Sequence, residues 1–233
     1  MNTNSLIVYE GPSTIDGAPI VVILTGLDQS SANGKTGNLV QSFIIRADVE
    51  PHTALKTGDD ASVCGMCPHR PLIARMLERA GVPTSPCYVK VHESVLSVFR
   101  AYRRGSYARA SSIAQVAAVL KGRKLRLGTY GDPAAAPVEL WELLVSLSAG
   151  HVGYTHQWQA VGFDAAAWAP LVMASADSAA ESAQATAMGM RRKAQCSDCM
   201  LCGGTSKNAR SIVIADHASG HEKRARVISI QSV

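Results

Sequence analysis

Cys196, Cys199 and Cys202, in Gln195-Cys196-Ser197-Asp198-Cys199-Met200-Leu201-Cys202-Gly203-Gly204, are spaced so that a turn in each interval brings their sulfurs toward one point. Thiolates converging in this way hold a soft metal ion or an iron-sulfur cluster. The other three of the chain's six cysteines form a second group, Cys64 and Cys67 in Cys64-Gly65-Met66-Cys67-Pro68-His69-Arg70 and Cys87 in Pro86-Cys87-Tyr88. An isolated cysteine is ordinarily an inert, buried residue. Two spaced groups that together use all six make metal ligation the stronger expectation.

Two metal chemistries fit the spacing. Three thiolates at two-residue intervals match part of the bacterial ferredoxin run, and a cluster held by only three cysteines leaves one iron open to substrate or a further ligand. A closed structural zinc site takes four donors, for which His69 or His92 upstream and His217 or His221 downstream are available. The iron-sulfur cluster is the leading expectation, with Cys64, Cys67, Cys87, Cys196, Cys199 and Cys202 as ligands; zinc is the alternative.

These cysteines are not needed as a scaffold, because 233 residues are enough to bury a core without staples. Met1 to Tyr9 lacks the pattern of a leader peptide, and no run approaches the length of an apolar membrane span, so a cytoplasmic protein that makes no membrane contact is expected. In a reducing compartment such spacings read as metal or redox sites before disulfides.

The elements that must position this chemistry follow from periodicity. Leu6 to Tyr9, Ile20 to Thr25 and Leu39 to Asp48 are rich in β-branched residues and predict a small N-terminal antiparallel β region within residues 1–50. The loop between the second and third contains Gly34-Lys35-Thr36, but Gln29 stands where a phosphate-binding loop needs glycine. Helices are predicted over Pro71 to Ala80, from a capping Ser94 to Gly105 (Val95, Val98, Phe99, Tyr102 on one face), and around Ile113, Val116, Ala117 and Leu120.

From Lys124 onward apolar strands alternate with helices. Leu125 to Leu127, Val152 to Tyr154, Leu171 to Ala174, Met190 to Lys193 and Ser211 to Ile214 read as strands; Leu140, Leu143, Leu144 and Leu147 stripe one helix, and Ser178 with Glu181 forms a capping box for another. The expected class is α/β: an open or partial β/α barrel over residues 51–233, packed with the N-terminal region as one unit.

Each strand runs at once into polar residues, the place at the carboxyl edge of parallel sheets where sites form. Thr129, Asp132, His156, Trp158, Ser175, Asp177, Asp216 and His217 would share that rim with the cysteines. Asp132 and His156 are the candidate catalytic residues, and Thr129, Ser175 and Asp177 the candidates to contact a cofactor. Taken singly, Asp132 also suits a turn, Asp177 a helix start and Trp158 core packing.

A net charge of +5 permits contact with nucleic acid. Arg100, Arg103, Arg104 and Arg109 are interleaved with Tyr102 and Tyr107, a mixture that neutralises phosphates and stacks on bases, although a solvated helix face accounts for the same run.

Cys64, Cys67, Cys87-Tyr88, Gly131-Asp132, Tyr154-Thr155-His156, Ser175, the Cys196-Cys199-Cys202 run and His217, in that order over about two thirds of the chain, resemble a family of phage and mobile-element proteins of the "gene product eighty-eight" type. The resemblance implies a partial β/α barrel similar to that of radical S-adenosylmethionine enzymes, with a cysteine-bound cluster at its mouth. The chain departs from the pattern by lacking a Cys-Pro shortly before Cys196, and it has no Cys-x-x-x-Cys-x-x-Cys. The expected function is an iron-sulfur protein of phage or mobile-element origin, a redox or radical-type enzyme on a nucleic-acid-related substrate. The alternative is a zinc-stabilised nucleic-acid-binding protein without catalysis.

Overall fold

Three β-branched segments build the first part of the sheet: β1 (Asn2–Pro12), β2 (Pro19–Thr25) and β3 (Leu39–Arg46) pair antiparallel in sequence order. The computed structural model describes residues 2–28, 39–82, 87, 89–194 and 212–213. Val21, Val22, Ile23 and Leu24 of β2 and Val40, Ile44 and Ile45 of β3 are completely buried. A strand covered on both faces has a continuous apolar run in place of alternation. Each such side chain contributes about 1.5–3 kcal/mol, so apolar burial is a large part of what holds this region.

Beyond β3 the sheet grows by parallel addition. β5 (Lys124–Tyr130) joins β3, then β6 (His151–Thr155), β7 (Met173–Ser175), β8 (Arg192–Ala194) and β9 (Ile212–Val213) add in turn. A strand that sequence periodicity did not predict, β4 (Tyr107–Arg109), lies parallel to β1 at the opposite edge. The order is β4-β1-β2-β3-β5-β6-β7-β8-β9, a mixed but mostly parallel sheet that is open among the described residues. Hydrogen bonding passes without a break from residues 2–46 into the parallel part, for Val40 pairs with Leu125.

Helices fill the connections: α1 (Pro51–Thr57), α2 (Ala61–Cys64), α3 (Pro71–Arg79) and α4 (Ser94–Arg103) between β3 and β4, α5 (Ile113–Leu120) before β5, then α6 (Val138–Ser146), α7 (Ala165–Trp168) and α8 (Ala179–Ala187) between successive parallel strands. The expected face of α4 is buried through Val95, Val98 and Phe99. Ser94 is not its cap: Glu93 occupies the N-cap position without a side-chain hydrogen bond. In α5 the stripe is narrower than its spacing implies, since Ile113 is 60% exposed while Val116 and Leu120 are buried. In α6 the core contact is made by Trp141 and Leu144, one turn apart, and Leu140, Leu143 and Leu147 are only half-buried.

Because β3 and β5 to β8 run parallel, their carboxyl ends share one edge. Cys196, Cys199, Cys202, Asp216, His217 and Gly34-Lys35-Thr36 lie outside the described residues. No helix among the described residues is long and apolar enough to cross a membrane.

Candidate functional site

The first cysteine pair sits on a loop pinned from inside by an arginine. Arg70, buried, donates through Nε and Nη2 to the two carboxylate oxygens of Asp60 at 2.9 and 2.7 Å, and also to the carbonyls of Gly58 (2.8 Å) and Gly65 (3.0 Å). The planar guanidinium suits this forked geometry, and a lysine could not reproduce it. Its four bonds tie together residues 58, 60 and 65, so both flanks of α2 are fixed relative to the start of α3. Ser62 fixes α2 to the sheet: its hydroxyl donates to Asp16 (2.7 Å) and accepts from Arg46 of β3 (3.0 Å).

Gly65 lets the loop turn. Its φ of 52° lies in the left-handed region, and an added Cβ would overlap the Gln157 carboxamide. Gln157 uses that closeness, accepting from the Met66 amide (3.0 Å) and donating to the Cys64 carbonyl (3.0 Å).

Gln157 rests in turn on Asp132. Asp132 follows β5 and is buried; its carboxylate accepts from the Thr155 hydroxyl (2.7 Å), the His156 amide (2.8 Å), the Ala134 amide (3.0 Å) and Gln157 Nε2 (3.4 Å). Its own amide donates to the Val63 carbonyl at 2.6 Å. Burial raises its pKa, against the pull of these donors. Asp132 is thus placed as a joint between β5, the end of β6 and the cysteine loop, with its side chain beneath the rim.

At the rim itself, His69, His156 and Asp177 meet. One ligand-capable atom from each lies within 4.8 Å of the others. His69 Nε2 is 3.2 Å from Asp177 Oδ1, His156 Nε2 is 3.9 Å from Asp177 Oδ2, and the two imidazoles pack edge to face with centroids 5.3 Å apart. Local structure holds each one. The His156 amide is bound by Asp132, and the His69 carbonyl accepts from the Cys87 amide at 2.8 Å. Asp177 precedes α8, where Ser178 accepts from the Glu181 amide and the Glu181 carboxylate accepts from the Asp177 amide at 2.6 Å. This is a capping box whose return bond falls one residue early.

Of the other rim candidates, Thr129 donates its hydroxyl to Gln41 of β3 at 2.7 Å and is not part of this group. Ser175 is buried at the end of β7, and its carbonyl accepts from Trp158 Nε1 at 2.7 Å; Trp158, 1% exposed, is core. Sequence reasoning named His69 only as an optional zinc ligand and gave Arg70 and Gln157 no role. The available signal was position: Arg70 closes the Cys64-to-Arg70 run, and Gln157 stands two residues past an apolar strand.

The chain was compared with protein-family models, curated proteins and solved structures. None of them matches it.

Cys64, Cys67 and Cys87 are free thiols, and among the described residues they do not form a group as close as that of His69, His156 and Asp177. Burial is the main cause of the raised pKa in all three. Cys64 is pushed well above its ordinary value, with Cys67 and Asp60 adding to the effect. Cys67 is pushed up to about 12 against the opposing amide of His69, and Cys87 is raised against the amide of Val89. Neutral thiols in such a setting ionise when a cation displaces their protons.

A pH dependence follows for the metal-free chain. Unfolded thiols ionise from their ordinary 9.0 while folded Cys67 keeps its proton until about 12, so the folded state binds more protons and loses stability as pH rises through that window. Urea unfolding in chelator at about pH 7, 9 and 10 is expected to show this decline, and Cys67→Ser to lessen it, with Cys64 and Cys87 supplying the rest. An unchanged midpoint in the parent chain contradicts the burial of these thiols.

Proposed function

We propose that the carboxyl edge of the sheet carries a cysteine-ligated iron-sulfur cluster, and that the protein is a cytoplasmic redox or radical-type enzyme of phage or mobile-element origin acting on a nucleic-acid-related substrate. One observation carries this reading: the Cys64-to-Cys67 loop is tied to Gln157 just past β6 and the Cys87 amide is tied to the His69 carbonyl, so all three thiols lie on segments held beside that edge, and the amides of His69 and Val89 pull the Cys67 and Cys87 thiols down against their burial. Amide donors to sulfur stabilise the thiolate a cluster requires and tune its potential. The donor set fits the group, since soft sulfur suits iron-sulfur centres and zinc. Cys196, Cys199 and Cys202 supply the second trio in this proposal; β8, which leads toward them, ends at Ala194 on the same edge.

The growth of the parallel part in sequence order supports a partial β/α barrel, because right-handed crossovers taken repeatedly in one direction place the helices on one face. When bound, the cluster supplies electron transfer. Around it, His156 is the polar group at the rim, Asp132 sets its position through the backbone, and Asp177 borders the cofactor side.

Oxygen-protected protein is expected to be brown, with stoichiometric iron and sulfide, and Cys64→Ser, Cys67→Ser and Cys87→Ser each to lower that content. Colourless protein carrying zinc alone overturns the proposal. The zinc-stabilised, nucleic-acid-binding alternative draws on a different observation: Arg100, Arg103 and Arg104 are exposed along α4. Tyr107 is buried and the Tyr102 hydroxyl is bound to Glu10 at 2.9 Å, so this reading relies on phosphate contacts. Reversing the three arginines is then expected to weaken binding to any sequence alike and to lower the salt slope by about three. Binding that survives the reversal rejects this surface.

A further inference from the structure

We infer that His69, His156 and Asp177 form a mononuclear site for a divalent transition-metal ion of the imidazole-binding class, zinc(II) or iron(II), separate from the cysteine-ligated centre. The inference does not depend on the identity of that centre.

The donors have the right types. Two imidazoles and one carboxylate make the two-histidine, one-carboxylate set that holds zinc in hydrolytic sites and iron(II) in non-haem sites, with coordination positions left open. They also have nearly the right spacing. Metal-nitrogen and metal-oxygen bonds of about 2.0–2.2 Å place adjacent donors roughly 3.0–3.4 Å apart. Here the separations from the Asp177 carboxylate are 3.2 Å to His69 and 3.9 Å to His156, with every donor inside 4.8 Å. Small side-chain rotations close this on an ion.

Three features separate the group from a chance meeting of surface residues. The donors come from three different connections, and each is held by its own anchor: Cys87 for His69, Asp132 for His156, and the α8 capping box for Asp177. Asp177 directs a different oxygen at each imidazole, Oδ1 at His69 and Oδ2 at His156, so one carboxylate faces both. Finally, the side chains are 25%, 23% and 42% exposed, so an ion can enter and keep a face toward water or substrate. Such an ion acts as a Lewis acid or lowers the pKa of its bound water.

The test is titration of the metal-stripped full chain with cobalt(II), followed by visible and near-ultraviolet spectra, with zinc(II) competition. One equivalent is expected to bind with weak ligand-field bands and no thiolate charge-transfer band, and zinc(II) is expected to displace it. Asp177→Asn and His156→Ala are expected to weaken that equivalent by at least tenfold, while Cys67→Ser leaves it in place. Should His156→Ala misfold by circular dichroism, Asp177→Asn, at an exposed position, still decides the matter. Cobalt bound only with thiolate charge transfer, binding unchanged by Asp177→Asn, or no binding at all overturns the site. Loss of the brown chromophore alone bears on the cysteine-ligated centre and leaves this result standing.

Discussion

Arg70→Met is expected to lower the free energy of unfolding by about 3–5 kcal/mol, because it leaves Asp60 as an uncompensated buried charge. The Asp60 side chain is 1% exposed and its two oxygens are taken by the guanidinium, so water cannot take over that role without opening the loop. Guanidinium chloride unfolding reads the loss. The double variant Arg70→Met with Asp60→Leu is expected to recover part of it, since no buried charge remains. Recovery stays incomplete, because the carbonyls of Gly58 and Gly65 have still lost their donors. In both variants the Cys64-to-Cys67 loop loses its inner tie, and metal content is expected to fall with it. A double variant as unstable as the single one would place the cost in lost packing and not in the charge.

Asp132→Ala is expected to remove about 3 kcal/mol, since the buried Thr155 hydroxyl and the part-buried His156 amide are left without their acceptor at about 1–3 kcal/mol each. Asp132→Asn keeps the shape and one acceptor, but turns an amide group toward the donors of His156 and Gln157. It is expected to cost about 1–3 kcal/mol. Asn is therefore the milder change, and denaturant midpoints at equal slope order the two. Both free the His156 backbone, so both are expected to weaken cobalt binding in proportion to the loss of order at His156, with no change in ligand identity. If cobalt affinity survives both, Asp132 supports the fold and not the rim.

The sequence made the local pieces legible. Glycine- and proline-bounded apolar runs marked β1 to β3 and the parallel strands, and Ser178 caps α8 through the Glu181 amide as the spacing implies, while the return bond from Glu181 goes to Asp177. Where reading by period failed, the surroundings decided: Ile113 fits the stripe of α5 but stays largely exposed, while Trp141 dominates the buried face of α6 by size. β4 went unread because three residues carry almost no periodic signal, and its arginine and tyrosine suggested a surface instead.

By itself the sequence determined which reactive groups the chain carries: six thiols in two groups, a histidine beside one of them, and polar residues at strand ends. Residue type and short spacing are local properties, and they survive without a fold. Only the tertiary structure decided which groups meet. His69 reaches Asp177 across 108 residues because parallel pairing of β5, β6 and β7 brings their carboxyl ends to one edge, and because Arg70 and Gln157 fold the cysteine loop over it. No spacing along the chain encodes that contact, since it depends on strand order and register, which the packing of distant apolar residues sets.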